Sequence, residues 1–209
     1  MAQKVPTARS QQKRSLERIN LLLGTTEALL DVLSVDEISL ADVASKAGVP
    51  LPSVYNFFPN KTALLEALAM RFHDELMTHM ERCDAEQFTS WQELVAYVFN
   101  VGADYHTSHA CVMKLFLGPG VSAEIKNADL TGNSNIAATY RRMLQRRFVF
   151  PFHEELENRL SVAVVICDSV WALSFCKHGS ITPELRVEGI RAAIAYLRLY
   201  LPEYLTARS

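Results

Sequence analysis

Apolar side chains recur along this chain at three- and four-residue intervals almost throughout, the spacing of one face of a helix. Leu16, Ile19, Leu22, Leu23, Leu29, Leu30 and Leu33 predict an amphipathic helix over 13–34. Val35–Ile38 is a short connection. Ser39 then precedes Asp42 by three residues, which predicts a side-chain cap and an acidic first turn for a helix ending at Ala47. Gly48 is suited to the left-handed closing residue. Pro50 and Pro52 are tolerated only in a first turn, so a new helix starts there and stops before Pro59. Asn60 caps a long helix over 61–83, with Leu65, Leu68, Phe72, Leu76 and Met80 on its apolar stripe. Further helices are expected over 91–108, 135–148, 157–177 and 183–201, with a short apolar piece at 111–117. Residues 118–135, with Gly118-Pro119-Gly120 and Gly132-Asn133, read as a loop.

Composition narrows the class without changing it. With 209 residues, 49% of them hydrophobic, the chain can bury a sizeable core. Eight glycines and eight prolines are too few to punctuate many short strands, so an all-α fold is expected. No apolar run reads as a membrane span, and the polar, basic start has no secretory pattern. Cys83, Cys111, Cys167 and Cys176 are widely spaced, which argues against a zinc site or disulfide framework and fits a reducing cytoplasm. Charge is uneven: residues 1–18 carry a net +4 from Lys4, Arg9, Lys13, Arg14 and Arg18 against Glu17, while residues 62–209 are net −3. A basic arm can bind phosphate or merely keep the chain soluble.

The chemistry gathers at 39–61. Two short helices around a glycine turn have the spacing of a helix-turn-helix, whose second helix enters the major groove. Val54 and Phe58 face inward at four-residue spacing, leaving Ser53, Tyr55, Asn56 and Phe57 nearer the outer face. Asn56 has the amide that pairs bidentately with adenine, and Tyr55 has a hydroxyl for a phosphate. Lys61 adds a charge beside the free amides of its helix start. Each aromatic here is also a plausible core residue, Phe58 above all.

Residues 39–65 resemble the DNA-binding signature of the tetracycline-repressor (TetR) family of bacterial transcriptional regulators. The matching features are Ser39, Val43-Ala44, Ala47-Gly48-Val49, Tyr55, Phe57-Phe58 and Lys61. Ser34 stands where the family usually has Gly, Pro50 where it has a hydroxyl cap, and a basic residue near Ala41-Asp42 is missing. Phosphate contacts are therefore expected from Lys13, Arg14, Lys46 and Lys61. The resemblance implies an N-terminal three-helix DNA-binding domain over 1–60 with its basic arm, and a helical effector-binding and dimerisation domain over 61–209. It implies a cytoplasmic homodimer on palindromic operator DNA, most simply a repressor, released by a small molecule.

The remainder fits that expectation. Between Leu160 and Cys176, 13 of 17 residues are apolar, and a helix apolar all round must be covered on every side. Val165 and Val170, with Ile190, Ile194, Leu197 and Leu201 of the last helix, are the expected dimer interface; a monomer with one central helix is the alternative. Expected pocket residues are Tyr97, Val101, Asp104, Tyr105, Phe116, Tyr140, Asp168, Trp171 and Phe175, with Phe148 and His106 beside them, for a mainly apolar or aromatic effector. The same residues read equally well as plain core. His106 and His109 make a poor metal site without a third ligand, so no metal and no cofactor are expected. No nucleophile elbow, Gly-rich phosphate loop or H-E-x-x-H occurs, which argues against an enzyme. An effector-independent or architectural DNA-binding protein is the remaining alternative.

Overall fold

The computed structural model describes residues 8–82, 87–119, 122–150 and 155–208, with side-chain surroundings from Gln12 onward. Lys4, Cys83, Gly120 and the side chain of Arg9 lie outside the described residues. Helices α1 (Ala8–Leu30), α2 (Leu40–Ala47), α3 (Leu51–Tyr55), α4 (Lys61–Glu81), α5 (Trp91–Ser108), α6 (Ala110–Phe116), α7 (Ala123–Arg147), α8 (Leu156–His178) and α9 (Pro183–Leu197) follow in order. The fold is all-α; among the described residues the only β pairing is one antiparallel bridge, Phe148 with Ala207. The chain divides into two compact units, Met1–Leu68 and Ala69–Ser209.

In the first unit, Leu22, Leu30, Val43, Val54, Leu64 and Leu68 are buried around one small core. Helix α1 stops at Leu30 rather than continuing to residue 34. Val32 is 76% exposed, and the Glu37 carboxylate takes both the Ser34 N–H and its hydroxyl at 2.8 Å, fixing a turn instead.

The second unit is built around α8, which packs against α7 and α9. Trp171 is its central side chain, edge-on to Phe99 at 6.2 Å and to His106 at 5.8 Å. By length and mean hydropathy (1.6) α8 meets the requirement for crossing a membrane. Here its apolar surface meets its two neighbouring helices, and Asp168 sits at mid-length.

The largest departure from the expected pattern is the start of α7. Residues 123–135 form helix, not loop. Ser122 accepts the Ile125 N–H and Glu124 complements the first turn, so the helix opens well before Gly132. Gly132 is a packing residue: a Cβ there would lie 2.2 Å from Cδ2 of His73 on α4.

A strap of residues 201–208 closes the unit. The Trp91 indole N–H donates to the Pro202 carbonyl at 2.9 Å and the Gln92 amide to that of Glu203 at 2.9 Å. Val149 N–H donates to Thr206 and Arg208 N–H to Arg147, both at 2.8 Å. The start of α5 and the end of α7 are thus tied by the same segment.

Gly132→Ala is expected to destabilise the second unit by about 1–3 kcal/mol, the usual cost of overpacking. Gly24→Ala in α1, where nothing lies within 4 Å of the added Cβ, should instead gain up to about 1 kcal/mol of helix propensity. Urea unfolding followed by circular dichroism checks both, and equal effects would refute the packing role of Gly132.

Candidate nucleic-acid interface and ligand cavity

The turn between α2 and α3 is set by local chemistry. Ser39 accepts the Asp42 N–H at 3.2 Å, and the Asp42 carboxylate takes the Ser39 N–H at 2.9 Å and its hydroxyl at 2.5 Å. These bonds, the Ser39 hydroxyl's foremost, hold the Asp42 carboxyl below its ordinary range. Gly48 closes α2 at φ 66°, a left-handed conformation that costs other residues strain. Val49 and Val54 are then buried, and Phe58 with them.

Helix α3 has five residues, fewer than the spacing predicts. Pro50 gives it no side-chain cap, and Asn56 forms its C-terminal cap rather than lying mid-helix. The outward face is as expected: Tyr55 is 51% exposed, Asn56 is exposed, and Ser53 and Phe57 are half-buried.

The cations are partly engaged. Lys61 donates to the carbonyls of Val35 and Asp36 at 3.1 and 3.2 Å, tying the start of α4 to the connection before α2. Asn60 Oδ1 accepts the Ala63 N–H at 2.8 Å, satisfying one of that helix's free amides. Lys46 reaches the Ala28 carbonyl at 3.3 Å, while Lys13 and Arg14 stand exposed on α1, Lys13 3.9 Å from Glu17.

In the second unit, side chains from α4 to α8 surround a cavity of about 30 Å³. Of the expected pocket residues, Tyr105, Phe116, Tyr140, Asp168 and Trp171 line it, with His106. Four do not. Tyr97 is exposed and rests on Phe88 at 5.1 Å; Asp104 pairs with Arg186 at 2.5 Å; Val101 and Phe175 are half-buried outside the lining. Phe148 is buried elsewhere in the core. The error on α5 is one of phase. Positions 97, 101 and 104 share one stripe; the lining uses 98, 102 and 105, about 100° around the helix. Sequence reasoning missed Phe72, His73, Leu76 and Met80 of α4, and Asp129 and Asn133, which fell in the segment read as loop.

These missed residues bring polar chemistry into the cavity. Lys126 donates to Asp129 at 2.7 Å, and His73 Nε2 stands 3.5 Å from the same carboxylate, too far for an ordinary hydrogen bond. Burial pushes the Asp129 carboxyl up, but contacts with His73 and Lys126 outweigh it and leave the pKa lowered. Among the described residues, Asp168 receives only the Asn133 amide, at 3.3 Å. Burial, reinforced by the Asp129 charge, pushes its carboxyl up to about 7. His106 is held below its ordinary value by burial; its Nδ1 lies 2.8 Å from the Gly102 carbonyl. Burial also raises the Tyr140 phenol and the Cys167 thiol. No group of three or more His, Cys, Asp or Glu side chains suited to a metal occurs among the described residues.

On α8 and α9 the expected partner-facing residues divide. Ile190, Leu197 and Leu201 are buried within the chain, because α9 turns that stripe inward. Val165, Val170 and Ile194 are half-buried, and Val162, Leu173 and Val187 are exposed at 41%, 47% and 45%.

Residues 22–68 match the family described as bacterial regulatory proteins, tetR family. The fold is similar to that of a TetR-family transcriptional regulator from Streptomyces coelicolor, at 24% identity over 88% of this chain and 99% of that one, TM-score 0.70. It is also similar to a TetR transcriptional regulator from Rhodococcus sp. RHA1, at 17% identity over 87% and 97%, TM-score 0.67. SmeT, the repressor of the Stenotrophomonas maltophilia multidrug efflux pump SmeDEF, aligns at 18% identity over 88% and 91%, TM-score 0.61. No curated protein sequence matches the chain.

Ser39→Ala should destabilise the first unit by about 1 kcal/mol, the usual worth of such a cap. Because the folded-state pKa of Asp42 is depressed, its contribution is complete above the ordinary 3.8 and is lost as pH falls through the lower folded value. The stability gap between Asp42→Asn and wild type should therefore close below that pH in urea titrations. A gap that persists in acid would remove the carboxylate from the cap.

Proposed function

We propose that this chain, whose N-terminal domain belongs to the TetR family, is a non-enzymatic transcriptional regulator. In this reading it binds a palindromic operator as a homodimer, most simply as a repressor, and is released by a small molecule bound in its second unit. The observation that carries the reading is the outward face of the helix-turn-helix. Ser53, Tyr55 and Asn56 offer planar or hydroxyl hydrogen-bonding groups there, over a core of Val54 and Phe58. Tyr55 takes a phosphate, Asn56 reads a base edge, and Lys13, Arg14 and Lys46 supply charge along the flank. Lys61 has three N–H donors and spends two on carbonyls, leaving one for a phosphate oxygen.

The dimer face is assigned to Val162, Val165, Val170 and Leu173 of α8 with Val187 and Ile194 of α9. These form the apolar surface that α8 and α9 leave uncovered in one protomer. A two-fold axis there presents two recognition elements to half-sites about 34–36 Å apart or a multiple of it. The cavity supports effector control: a tenfold loss of operator affinity needs a coupling of only about 1.4 kcal/mol.

A duplex selected from a random pool should carry an inverted repeat and bind with strong salt dependence. Lys61→Ala should flatten the slope of log K against log salt by roughly two for a dimer, since each phosphate contact contributes about 0.9. Asn56→Ala should leave the slope alone and cost roughly 1–3 kcal/mol per half-site at one base position. Wild-type affinity and slope in both variants would refute the assigned face.

An Arg at Val165, Val170 or Ile194 should convert the dimer to monomer in sedimentation, most completely at the position nearest the axis. A wild-type chain sedimenting as a monomer at micromolar concentration would refute the dimer.

A further inference from the structure

The polar groups of the second unit's cavity do not balance. Two carboxylates, Asp129 and Asp168, line it, while the nearby cation, Lys126, lines the adjoining outer hollow and is engaged with Asp129 at 2.7 Å. His73 also turns to Asp129, at 3.5 Å. Asp168 is left with one long bond from a neutral amide, Asn133 at 3.3 Å. His106 does not serve it: its Nδ1 is committed to the Gly102 carbonyl, which leaves Nε2 of the neutral ring as an acceptor. A half-buried carboxylate this poorly supplied with donors lacks a positive partner.

Its position says where that partner would sit. Asp168 lines the inner cavity and also an adjoining outer hollow of about 100 Å³, as do Phe116 and Asn133. Aromatic side chains stand on the inner wall, among them Phe72, Phe99, Tyr140 and Trp171, and Phe116 stands at the junction with the outer hollow. Aromatic faces attract a cation as well as an apolar body. The inner hollow alone has room for little more than a water, but the two joined approach the roughly 150 Å³ of an apolar cavity that admits benzene, which suits one ring and not a fused system.

We propose that the joined hollows take a small single-ring arylalkyl amine, with its ammonium on Asp168 and its ring against Phe116 at their junction. The inference rests on the effector reading above and names that effector's class. An anion would meet two carboxylates, and a neutral ligand would leave Asp168 without a cation. Binding requires the ionised carboxylate, so affinity falls in acid. The charged and titratable groups facing Asp168 are Asp129, Lys126 and Tyr140 from α7, Cys167 from α8, His73 from α4 and His106 from α5. With the carboxyl raised to about 7, affinity should drop about tenfold between pH 8 and pH 6.

The test is calorimetry on the full chain with 2-phenylethylamine, 2-phenylethanol and 3-phenylpropanoate. The amine should bind at least tenfold tighter than the alcohol at pH 8 and lose most of that margin by pH 6, and the propanoate should not bind. Asp168→Asn should remove the amine's margin while the alcohol still binds; Asp104→Asn, outside the cavity, should keep it. If Asp168→Asn fails to fold, wild-type titration at pH 6.5 in buffers of different ionisation enthalpy still decides, because amine binding should release a proton. Equal affinity for amine and alcohol, propanoate binding, or amine affinity independent of pH would overturn the proposal. If none of the three binds while the selected duplex does, this inference fails and the DNA-binding reading stands. If the amine binds as expected but no duplex is bound, the reverse holds.

Discussion

Helix α8 cannot be left in water, and the second unit is arranged around that fact. Of the residues between Leu160 and Cys176, only Ser161, Asp168, Ser169 and Ser174 are polar. At about 25 cal/mol per Å², each exposed apolar side chain on such a helix forgoes roughly 1.5–3 kcal/mol of burial. Helices α7 and α9 cover one side of it, and Trp171 fills the space toward α5. What they leave open is a stripe of valine and leucine that no other described element covers. The same crowding raises Asp168, the one charged side chain placed within the helix's apolar run.

The first unit obeys a different constraint. It is too small to hold its turn by burial alone, so backbone groups do much of the work. The Ser39–Asp42 box starts α2, Gly48 stops it, and Lys61 closes two carbonyls left open by the preceding connection. Side chains that would ordinarily be counted as free for a partner are thus also part of the scaffold. Removing Lys61 alters a turn as well as a charge, whereas Tyr55 and Asn56 are supported by Val54 and Phe58 behind them and stand clear.

Periodicity made most of the helices legible, because capping and apolar spacing are local signals. The α2 boundaries follow directly from Ser39 and Gly48, and Trp91–Ser108 from its apolar spacing. The start of α7 was not legible, since Gly132-Asn133 has the composition of a turn and only the His73 ring, 59 positions earlier, requires the glycine. That loss concealed Asp129 and Asn133, two of the cavity's polar lining residues. On α5 the sequence offers two adjacent apolar stripes, and nothing local says which faces inward. The packing of Trp171 decides it. The stripe expected to face a partner on α9 divides for a related reason: Ile190 and Leu197 are buried within the chain itself.

The strap at 201–208 has a kinetic consequence. The bond from Trp91 to Pro202 joins residues 111 positions apart. Helices α5 to α9 can each form from near neighbours, but the clamp across α5 and α7 closes a loop of more than a hundred residues. Closing it costs chain entropy before any contact rewards it, so it belongs among the late steps. During synthesis, α5 and α7 emerge well before the segment that binds them together. Until then the indole N–H of Trp91 has no carbonyl to meet, and the half-made unit exposes one of its largest core side chains. A nascent chain of this protein is therefore most vulnerable to misassociation between the emergence of α5 and the arrival of residue 202.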